Sequence, residues 1–494
     1  MYTLWAPGVR TTSAALFLCK NGPFQLRHNS NIAWPCNSWG ESDRHDGWRG
    51  SNWGGNIKWI GCPLIEPRSL TELQEIVRAS KKIRVVGSAH SFTPLIYRHN
   101  DSQLPTLLSL RKMPRKWEID TATSVLTIDA GSTYSEVCCA LSHTRFALSN
   151  TASLPQFSIA GAISTGTHGS SGMGKDGRLL LGGLADAVLS LEIVGPDGDL
   201  KCISKGDPNF EAYVVSLGLL GVVTQVSLAL VDDFDIQQRV YGTWPPTEIE
   251  EGSLTRLLQS LPEAMSHCYS FSAFIKWNID NPGMLILRES VPRHLNSSSF
   301  SPALSWQGTP LNTSPIKNFI EGSDFDTTGV GRWHDKLQIW MKDGKPFGPQ
   351  GAPELQMEHF VPLRHATDAL AATRQVVAHW GSDLLYCELR AVRADSQLLS
   401  PYTCDLDGGD TLAIANGVNG TLGETRVLQA ATVLEEALAP FRAKPHWGKL
   451  SNMRPCDIRS LYGQRLDKFQ RICVQVDPER KFSNSWLDNM VLDA

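Results

Sequence analysis

Three glycine-rich turns that follow apolar runs are the main feature of the first half of the chain. The first is RVVGSAHSF, Arg84–Phe92, in which His90 comes directly after the small residues of the turn. The others are SIAGAISTGTHGSSG, residues 158–172, and SLGLLGVVTQVSLAL, residues 216–230. Glycine lets backbone N–H groups converge on an anion without obstruction by side chains, so each turn suits a pyrophosphate. One such turn alone is more often only a tight connection, but three of them in one stretch favour a binding site.

The segments around these turns alternate between helical and extended patterns. EPRSLTELQEIVRAS, residues 66–80, has Ser69 three residues before Glu72, which is a capping box, and continues with apolar residues at helical spacing. SVLTIDAG, residues 124–131, predicts a strand, and AVLSLEIVGPDGDL, residues 187–200, predicts a strand that turns back as a hairpin. The first half is therefore predicted to mix α and β elements, and no turn in it has the G-x-G-x-x-G spacing of a nicotinamide site.

A change of amino-acid composition near Asp235 predicts a domain boundary. Beyond it the chain becomes more polar and richer in proline, and residues 293–318 predict an irregular loop. A chain of 494 residues is too long for one ordinary core, so two or three domains are expected.

The charge and the cysteines limit the kinds of partner. The chain has 46 basic and 50 acidic side chains, a formal net charge of −4, with both signs scattered along the sequence. This distribution has no basic patch for nucleic acid or an anionic membrane surface, and no apolar run reaches the roughly 20 residues of a membrane span. The 11 cysteines lack paired C-x-x-C spacings, so neither a metal site nor a disulfide framework is predicted. A small molecule is the expected partner.

The first 40 residues contain no Asp or Glu, carry Arg10, Lys20 and Arg27, and are rich in Ser, Thr and Asn. This is the composition of an organelle transit peptide. We therefore expect residues 1–45 to be an N-terminal extension that directs import into mitochondria or another organelle. The alternative is a merely disordered extension on a cytoplasmic protein.

Four stretches in fixed order carry a resemblance to a known family. They are VVGSAHSF, ASLPQFSIAGAISTGTHGS, SLGLLGVVTQVSL and, near the end, KPHWGKL. Together they resemble the aldonolactone oxidase and alditol oxidase branch of the vanillyl-alcohol-oxidase superfamily, from about residue 52 to 484. The resemblance implies an α+β fold with a two-subdomain PCMH-type FAD-binding domain, residues 50–235. It also implies an α+β cap domain, residues 236–440, with a mixed or antiparallel sheet over the flavin, and a C-terminal segment, residues 441–494, that completes the active site.

The resemblance implies FAD as the cofactor. His90 is the histidine that the family joins to the 8α-methyl group of the flavin, although Ala89 stands where relatives usually have glycine. The alternative is a histidine that caps a turn in a noncovalent site. The implied cofactor-binding residues are Val86, Gly87, Ser88, Ala89, His90, Ser91, Ser153, Ser158, Gly161, Thr165, Gly166, His168, Gly169, Gly221, Val222 and His446.

The stretch YCELRAV, residues 386–392, introduces the substrate side. In a strand Glu388 and Arg390 point to one face, which by itself is usually a solvated edge with a surface ion pair. The resemblance instead implies a Glu-x-Arg pair over the flavin, together with Lys449 of the HWGK motif. We assign proton acceptance from the substrate hydroxyl to Lys449 and stabilisation of developing negative charge to Arg390. Glu388 would orient Arg390 and accept from the next hydroxyl.

Three further positions concern substrate and oxygen. Ser153 falls where alditol oxidases place a serine against the polyol, and Ala152 falls near the flavin edge that oxygen must reach. Alditol oxidases also bind distal hydroxyls with a histidine and, two residues on, a threonine; an ungapped comparison puts Ile414 and Asn416 there. An isoleucine cannot hydrogen-bond, so one distal anchor is expected to be missing while Asn416 binds substrate.

Three functions follow from the resemblance. The first is oxidation of a polyol such as xylitol or sorbitol by hydride transfer to flavin N5, with O2 reduced to H2O2. CELRAVRADSQLLSP and PHWGK are closer to alditol oxidases than to lactone enzymes, whose motif often ends Trp-Ala-Lys. The second is an aldonolactone oxidase or dehydrogenase of the D-arabinono-, L-gulono- or L-galactono-1,4-lactone type, which could pass electrons to cytochrome c in mitochondria. The third is a flavin-binding protein that has lost catalysis.

Overall fold

The structure is a computed structural model, and it describes part of the chain. The described residues are 26–27, 50–97, 101, 103–242, 253–275, 277, 283–293, 302–312, 328–338, 341–342, 345–346, 354–403 and 409–493. The predicted transit peptide therefore lies almost wholly outside them, and organelle import stays a prediction. No helix within these ranges has both the length and the apolar content needed to cross a bilayer.

The strands of the first half are β1 Leu26–Arg27, β2 Leu64–Ile65, β3 Ile83–Val85, β4 Thr106–Leu108, β5 Trp117–Asp120, β6 Val125–Asp129, β7 Phe146–Ala147, β8 Val188–Val194, β9 Leu200–Ser204, β10 Val222–Ala229 and β11 Val231–Asp232. Those of the second half are β12 Phe234–Gly242, β13 Ser270–Ile275, β14 Gly283–Pro292, β15 Ser305–Trp306, β16 Thr309–Pro310, β17 Gly329–Arg332, β18 Met341–Lys342, β19 Lys345–Pro346, β20 Glu354–Pro362, β21 Leu384–Val392, β22 Thr411–Asn419 and β23 Lys444–Pro445. The α-helices are α1 Leu70–Ala79, α2 Tyr134–Leu141, α3 Ile159–Ser164, α4 Phe210–Tyr213, α5 Ser253–Ser266, α6 Trp333–Lys336, α7 Ala366–Val377, α8 Glu424–Leu438, α9 Pro455–Tyr462, α10 Gln464–Val476 and α11 Ser485–Leu487.

Two larger sheets and the two-stranded β7–β11 pair make up the sheets of the described part of the first half. A three-stranded parallel sheet has the order β2-β4-β3, and a six-stranded antiparallel sheet has the order β1-β5-β6-β10-β8-β9. The predicted hairpin is confirmed as β8 and β9, and the predicted helix is confirmed as α1. Its cap differs in one detail: Ser69 Oγ accepts from the Glu72 amide at 3.2 Å, whereas Glu72 Oε2 accepts from the Arg68 amide at 2.7 Å. The reciprocal bond of the capping box therefore goes one residue further upstream than predicted.

The second half is built on one large sheet. Its order is β17-β12-β14-β13-β21-β22-β20-β23, and every described pairing is antiparallel. The first strand on this sheet, β12, begins at Phe234, beside the change of composition near Asp235. One face of the sheet packs against α5, α7 and α8 through apolar residues that include Leu389 and Ile414. The opposite face is turned toward the first half of the chain.

The C-terminal segment returns to the first half. Strand β23 lies at the edge of the large sheet, but Ile458, Phe469 and Leu487 share one apolar core with Leu73 and Val77 of α1. The predicted irregular loop at residues 293–318 is wrong in its described middle, where β15 and β16 form a small hairpin. The glycine and proline residues of this segment indicate a loop. Its strands are only two residues long, which is too short to show an alternating pattern.

Candidate active site

A cavity of about 730 Å³ lies between the first half of the chain and the large sheet. Its wall includes residues from the histidine turn (84–92), from the second glycine-rich turn and the residues just before it (156–168), and from the loop at 217–221. Strands β20 to β22 and the HWGK segment (446–449) complete it. A volume of this size is within the range of ordinary cofactor and ligand pockets. The three glycine-rich turns that sequence analysis singled out therefore meet around one cavity.

Two of these turns are hydrogen-bonded to each other. Ser88 Oγ donates to the Gln156 carbonyl at 2.6 Å and accepts from the Ser158 amide at 2.8 Å. A Cβ atom on Gly87 would lie 2.0 Å from Ser158 Oγ, so any other residue there would force the Ser158 side chain or the turn to shift. The close approach leaves the backbone of residues 86–91 bordering the cavity.

The imidazole of His90 borders the cavity between two aromatic rings. The ring of Trp53 is stacked on it with centroids 5.3 Å apart, and the ring of Phe157 meets it edge-on at 4.7 Å. Rings on two sides leave the imidazole few orientations.

Most predicted cofactor-binding residues border the cavity. They are Val86, Gly87, Ser88, Ala89, His90, Ser91, Ser153, Ser158, Gly161, Thr165, His168, Gly221 and His446. Three others do not, and each is held elsewhere by packing. Gly166 lies against the Pro401 ring, and Gly169 lies against the Asn150 side chain and the Thr151 carbonyl. Val222 is fully buried in the apolar core, because the alternation of β10 turns it away while Gly221 and Val223 face the cavity.

Arg84 also borders the cavity and was not predicted to do so. Its guanidinium is buried and donates to the carbonyls of Leu95 at 2.8 Å, of Leu217 at 2.7 Å and of Phe482. No carboxylate among the described residues pairs with it. Burial lowers the pKa of Arg84 to about 10, so the group keeps its charge at neutral pH. A cation without a carboxylate partner in the wall fits a cofactor that carries phosphate groups.

Arg390 is the centre of the polar cluster on the sheet side. Its Nη1 donates to Ser153 Oγ at 2.9 Å and its Nη2 donates to Glu358 Oε1 at 2.6 Å, whereas its Nε lies 3.5 Å from Glu388 Oε2. Arg390 is 7% exposed and Glu388 is 3% exposed, on a strand flanked by β13 and β22. The alternative of a solvated strand edge is therefore wrong. Glu358 and Ser153, more than Glu388, orient the guanidinium.

Glu358 was not predicted. Besides Arg390, its Oε1 lies 2.9 Å from His168 Nε2, so one carboxylate oxygen joins two strands and the second glycine-rich turn. Burial alone would raise the pKa of Glu358, but Arg390 and then His168 hold it well below its ordinary value. The available signal was the alternation of Glu354, Gln356 and Glu358 in ELQMEHF, which places three polar side chains on one face of a strand.

Lys449 reaches the cavity from the turn after β23. Its Nζ donates to Gln356 Oε1 and lies 5.1 Å from the centre of the Phe92 ring. Gln356 in turn donates to Glu354 Oε1 at 2.6 Å, and Tyr386 donates to the same oxygen at 2.5 Å. Burial lowers the pKa of Lys449, while the carboxylates of Glu358 and Glu354 oppose that effect. Gln356 and Tyr386 also border the cavity and were not predicted.

The HWGK segment and the histidine turn are hydrogen-bonded directly. The Phe92 amide donates to the Gly448 carbonyl at 2.9 Å, and Thr93 Oγ1 donates to the Trp447 carbonyl at 2.6 Å. His446 Nδ1 accepts from the Gly448 amide at 2.9 Å, so the ring proton of the neutral imidazole is on Nε2. Burial lowers the pKa of His446 to about 3, which agrees with that neutral form.

The register of β22 shows which face carries the two residues that were predicted to lie at the distal hydroxyls of the substrate. Ala415 lies opposite Glu388 and Glu358 on the neighbouring strands and borders the cavity, so its face is the cavity face. Ile414 and Asn416 alternate to the other face, where Ile414 is part of the apolar core. Asn416 is fully buried on that face and does not border the cavity, so the structure does not bring it together with Glu388 and Arg390 as predicted. Successive side chains of a strand point to opposite faces, so residues 414 and 416 share the face turned away from the cavity.

Comparison with known families and proteins divides along the same two halves. Residues 63–204 match the family described as FAD binding domain, and residues 352–490 match the family described as D-arabinono-1,4-lactone oxidase. An alditol oxidase from Streptomyces is 30% identical over 444 residues, which are 89% of this chain and 98% of the relative. An L-gulono-1,4-lactone dehydrogenase from Mycobacterium tuberculosis is 24% identical over 88% of this chain and 97% of its own length.

Solved structures share the fold at lower identity. A solvent-stable cholesterol oxidase superposes with a TM-score of 0.68 at 16% identity, over 90% of this chain and 97% of that one. A xylooligosaccharide oxidase from Myceliophthora thermophila in complex with xylobiose superposes with a TM-score of 0.66 at 13% identity, over 92% of this chain and 95% of that one. These likenesses establish the architecture of the two halves and their sheets.

Proposed function

Because the chain belongs to the alditol oxidase and aldonolactone oxidase branch of the vanillyl-alcohol-oxidase superfamily of FAD-dependent oxidoreductases, we propose that it oxidises a hydroxyl-bearing carbon of a polyol, with O2 as the electron acceptor. Bound FAD supplies a hydride acceptor at flavin N5. The observation that carries the proposal is the cluster of Glu388, Arg390 and Lys449 on the sheet side of the cavity, facing the histidine turn.

Lys449 and Arg390 divide the work on the reacting hydroxyl. Removal of hydride from carbon requires the hydroxyl to lose its proton, and Nζ of Lys449 accepts it in the deprotonated state that burial favours. Arg390 remains charged, since Glu388 and Glu358 oppose the effect of burial and raise its pKa. Its guanidinium therefore stabilises negative charge on the oxygen in the transition state.

Glu388 is assigned to accept a hydrogen bond from the substrate hydroxyl on the carbon next to the one that is oxidised. Its Oε1 is buried and hydrogen-bonds to none of the described residues, although the carboxyl group borders the cavity. Burial raises the pKa of Glu388, and Arg390 opposes that effect. A substrate hydroxyl that donates to this oxygen would satisfy it, which favours substrates with hydroxyl groups on adjacent carbons. Ser153 Oγ, already an acceptor for Arg390, offers a second contact.

We further propose that His90 is covalently bound to the flavin. The position of its imidazole in the cavity wall, between Trp53 and Phe157, supports this bond. Precipitation with acid tests it, since a covalent flavin stays with the polypeptide and a noncovalent flavin is released. Complete release of the yellow chromophore would contradict the bond.

Oxygen use is a separate part of the proposal. Ala152, expected near the flavin edge, is fully buried in the apolar core of the first half and does not border the cavity. Oxygen access is therefore tested directly, by the rate at which reduced flavin recovers its colour in air and by the yield of H2O2.

The test of the polyol proposal is anaerobic bleaching of the bound flavin by xylitol, sorbitol, mannitol and several aldonolactones, followed by admission of air. We expect bleaching by a polyol and rapid recolouring. Failure of every polyol and lactone to bleach the flavin would contradict both enzyme proposals and favour a flavin-binding protein without catalysis.

An aldonolactone substrate is the second candidate. The match of residues 352–490 to a D-arabinono-1,4-lactone oxidase family favours it. So does Ala415, which borders the cavity from β22 and offers no side-chain hydrogen bond to a distal hydroxyl. A lactone ring needs fewer distal contacts than an extended polyol. Bleaching by a lactone alone would establish this candidate, and slow recolouring in air would indicate a dehydrogenase that passes electrons to another acceptor such as cytochrome c.

A further inference from the structure

Trp53 contacts the histidine turn both through its ring and through its backbone. The ring is stacked on His90 with an interplanar angle of 23°. The Trp53 amide donates to the Ala89 carbonyl at 2.8 Å, next to His90 in the chain. Trp53 itself lies ahead of the segment that matches the FAD-binding family, which begins at residue 63.

The backbone before His90 is strained. Ala89 has a φ of 58°, in the left-handed region that glycine adopts freely and that alanine adopts at a cost of about 1 kcal/mol or more. Such a conformation persists only where neighbouring contacts hold it. Here the Trp53 amide holds the Ala89 carbonyl, and Asn52 Nδ2 donates to the Ser91 carbonyl at 2.9 Å.

The loop that supplies these contacts is itself braced. The Asn52 side chain donates to Asn56 Oδ1 at 2.7 Å and accepts from the Ile57 amide at 3.0 Å. Asn56 Nδ2 donates to the Phe92 carbonyl at 2.9 Å, on the far side of the histidine turn. Residues 52–57 therefore donate hydrogen bonds to three carbonyls of the histidine turn, and Trp53 is one of the residues of this segment.

We propose that Trp53 is a positioning residue that sets the His90 imidazole for attachment to the flavin. Its stacked ring, together with the Phe157 ring that meets the imidazole edge-on, restricts the rotamers open to His90. The proposal rests on the covalent His90 bond proposed above. In that step a ring nitrogen of His90 bonds to the flavin 8α carbon, which loses a C–H proton; the imidazole loses its own N–H proton. The two electrons left on the flavin pass to O2, which takes up both protons and becomes H2O2.

The experiment follows attachment itself rather than turnover. Each variant is prepared as apoprotein, mixed with FAD in air, and sampled over time for flavin fluorescence that stays with the acid-denatured polypeptide. We expect Trp53→Ala to bind FAD noncovalently at wild-type stoichiometry and to attach it about fivefold to tenfold more slowly, the factor that one aromatic contact supplies. Trp53→Phe, which keeps a ring over the imidazole, is expected to recover most of the rate.

Trp306 provides the matched control. It is half-buried, like Trp53, and its ring meets His267 edge-on at 5.8 Å, but it lies in the β15–β16 hairpin away from the cavity. Trp306→Ala is expected to attach FAD at the wild-type rate. Equal slowing in the Trp306 and Trp53 variants would assign the effect to general loss of stability and overturn the proposal.

The remaining outcomes separate this inference from the proposed function. Wild-type attachment rates in both Trp53→Ala and Trp53→Leu would overturn the role of Trp53 and leave the His90 bond intact. A wild-type protein that releases all its flavin in acid would overturn the His90 bond and the role of Trp53 together. Neither result touches the polyol proposal, which is decided by anaerobic bleaching. If Trp53→Ala does not fold, Trp53→Leu, which keeps apolar volume without a ring, still distinguishes stacking from packing.

Discussion

At the scale of single residues, the surroundings of Lys449 fit the role of proton acceptor proposed for it. Its ammonium group is surrounded by Gln356, the Phe92 ring and a set of carboxylates that belong to other partners. Desolvation favours loss of the proton, and the attraction of the carboxylates limits the shift. A side chain in this balance can take a proton from a substrate hydroxyl and return it to water afterwards.

Substitution Lys449→Met should remove that function without emptying the flavin site. We expect the rate of anaerobic flavin reduction by substrate to fall by about 10²–10³, as for loss of a group that stabilises the transition state. The flavin absorbance per protein should stay at the wild-type value. Lys175→Met, at an exposed position, is the control and should change neither quantity. Unchanged reduction in Lys449→Met would rule out the assigned role.

The lowered pKa of Lys449 has a consequence for pH dependence. Below that pKa the side chain is protonated and cannot accept a proton, so the rate of flavin reduction should rise as pH increases through it. The rise should level off at a pH below the ordinary lysine value of 10.5. Lys449→Arg stays protonated throughout, so its slow reduction should lack this rise. Stopped-flow reduction between pH 6 and 10 measures both profiles, and an identical rise in the arginine variant would assign it to another group.

At the scale of elements, β22 turns one face to the cavity and the other to the apolar core beneath the helices. Ala415 borders the cavity beside Glu388 and Glu358, while Asn416, one residue on, is buried on the face that packs against the helices. A strand turns successive side chains to opposite faces, so neighbouring positions carry unrelated tasks.

This separation predicts different effects for two neighbouring substitutions. Ala415→Leu fills the cavity next to Glu388 and should raise the substrate concentration for half-maximal bleaching by about tenfold, while urea unfolding changes little. Asn416→Ala should leave that concentration unchanged. It should change the free energy of unfolding by about 1 kcal/mol or less, because the small cavity is offset by removal of two buried amide atoms that hydrogen-bond to none of the described residues. Substrate titration and urea unfolding of the flavin-loaded variants test the pair. A large change of half-maximal concentration in Asn416→Ala would restore it to the substrate site.

At the scale of the whole molecule, Arg84 ties together segments that are far apart in the chain. Its guanidinium donates to carbonyls after the histidine turn, in the loop before β10 and in the C-terminal segment. The C-terminal helices pack in the same apolar core as the first half. The buried Arg84 side chain therefore connects the wall of the cavity to both the first half and the C-terminal segment.

Arg84→Met should therefore destabilise the protein strongly. Carbonyls of Leu95, Leu217 and Phe482 would lose their donor in a dry interior, at about 1 kcal/mol or more each, so we expect a loss of about 3 kcal/mol or more. Arg78→Met is the control, because Arg78 also donates to the carbonyls of Asp197 and Gly198 but its side chain is 48% exposed. We expect that substitution to lower the free energy of unfolding by under about 1 kcal/mol. Urea unfolding measures the free energy of unfolding of both variants, and equal losses in the two would contradict this role of Arg84.

The local patterns of the sequence were sufficient for much of this protein. The α1 helix, the β8–β9 hairpin, the strand that carries Glu388 and Arg390, and the three glycine-rich turns are set by residue spacing and turn chemistry within short segments. The motif order identified the FAD-dependent family, since a close approach such as that of Gly87 to the Ser158 side chain leaves little room for a residue other than glycine.

Tertiary structure alone decided which side chains meet. Glu358 joins Arg390 to His168 across a gap of 190 positions in the chain, and Trp53 stacks on His90 from outside the family's domain. The face on which Asn416 lies depended on the register of β22 against two neighbours, which a shift of one residue reverses. Spacing along a chain predicts local conformation and the direction of side chains within one element. Contacts between elements depend on register and packing, which no local pattern contains.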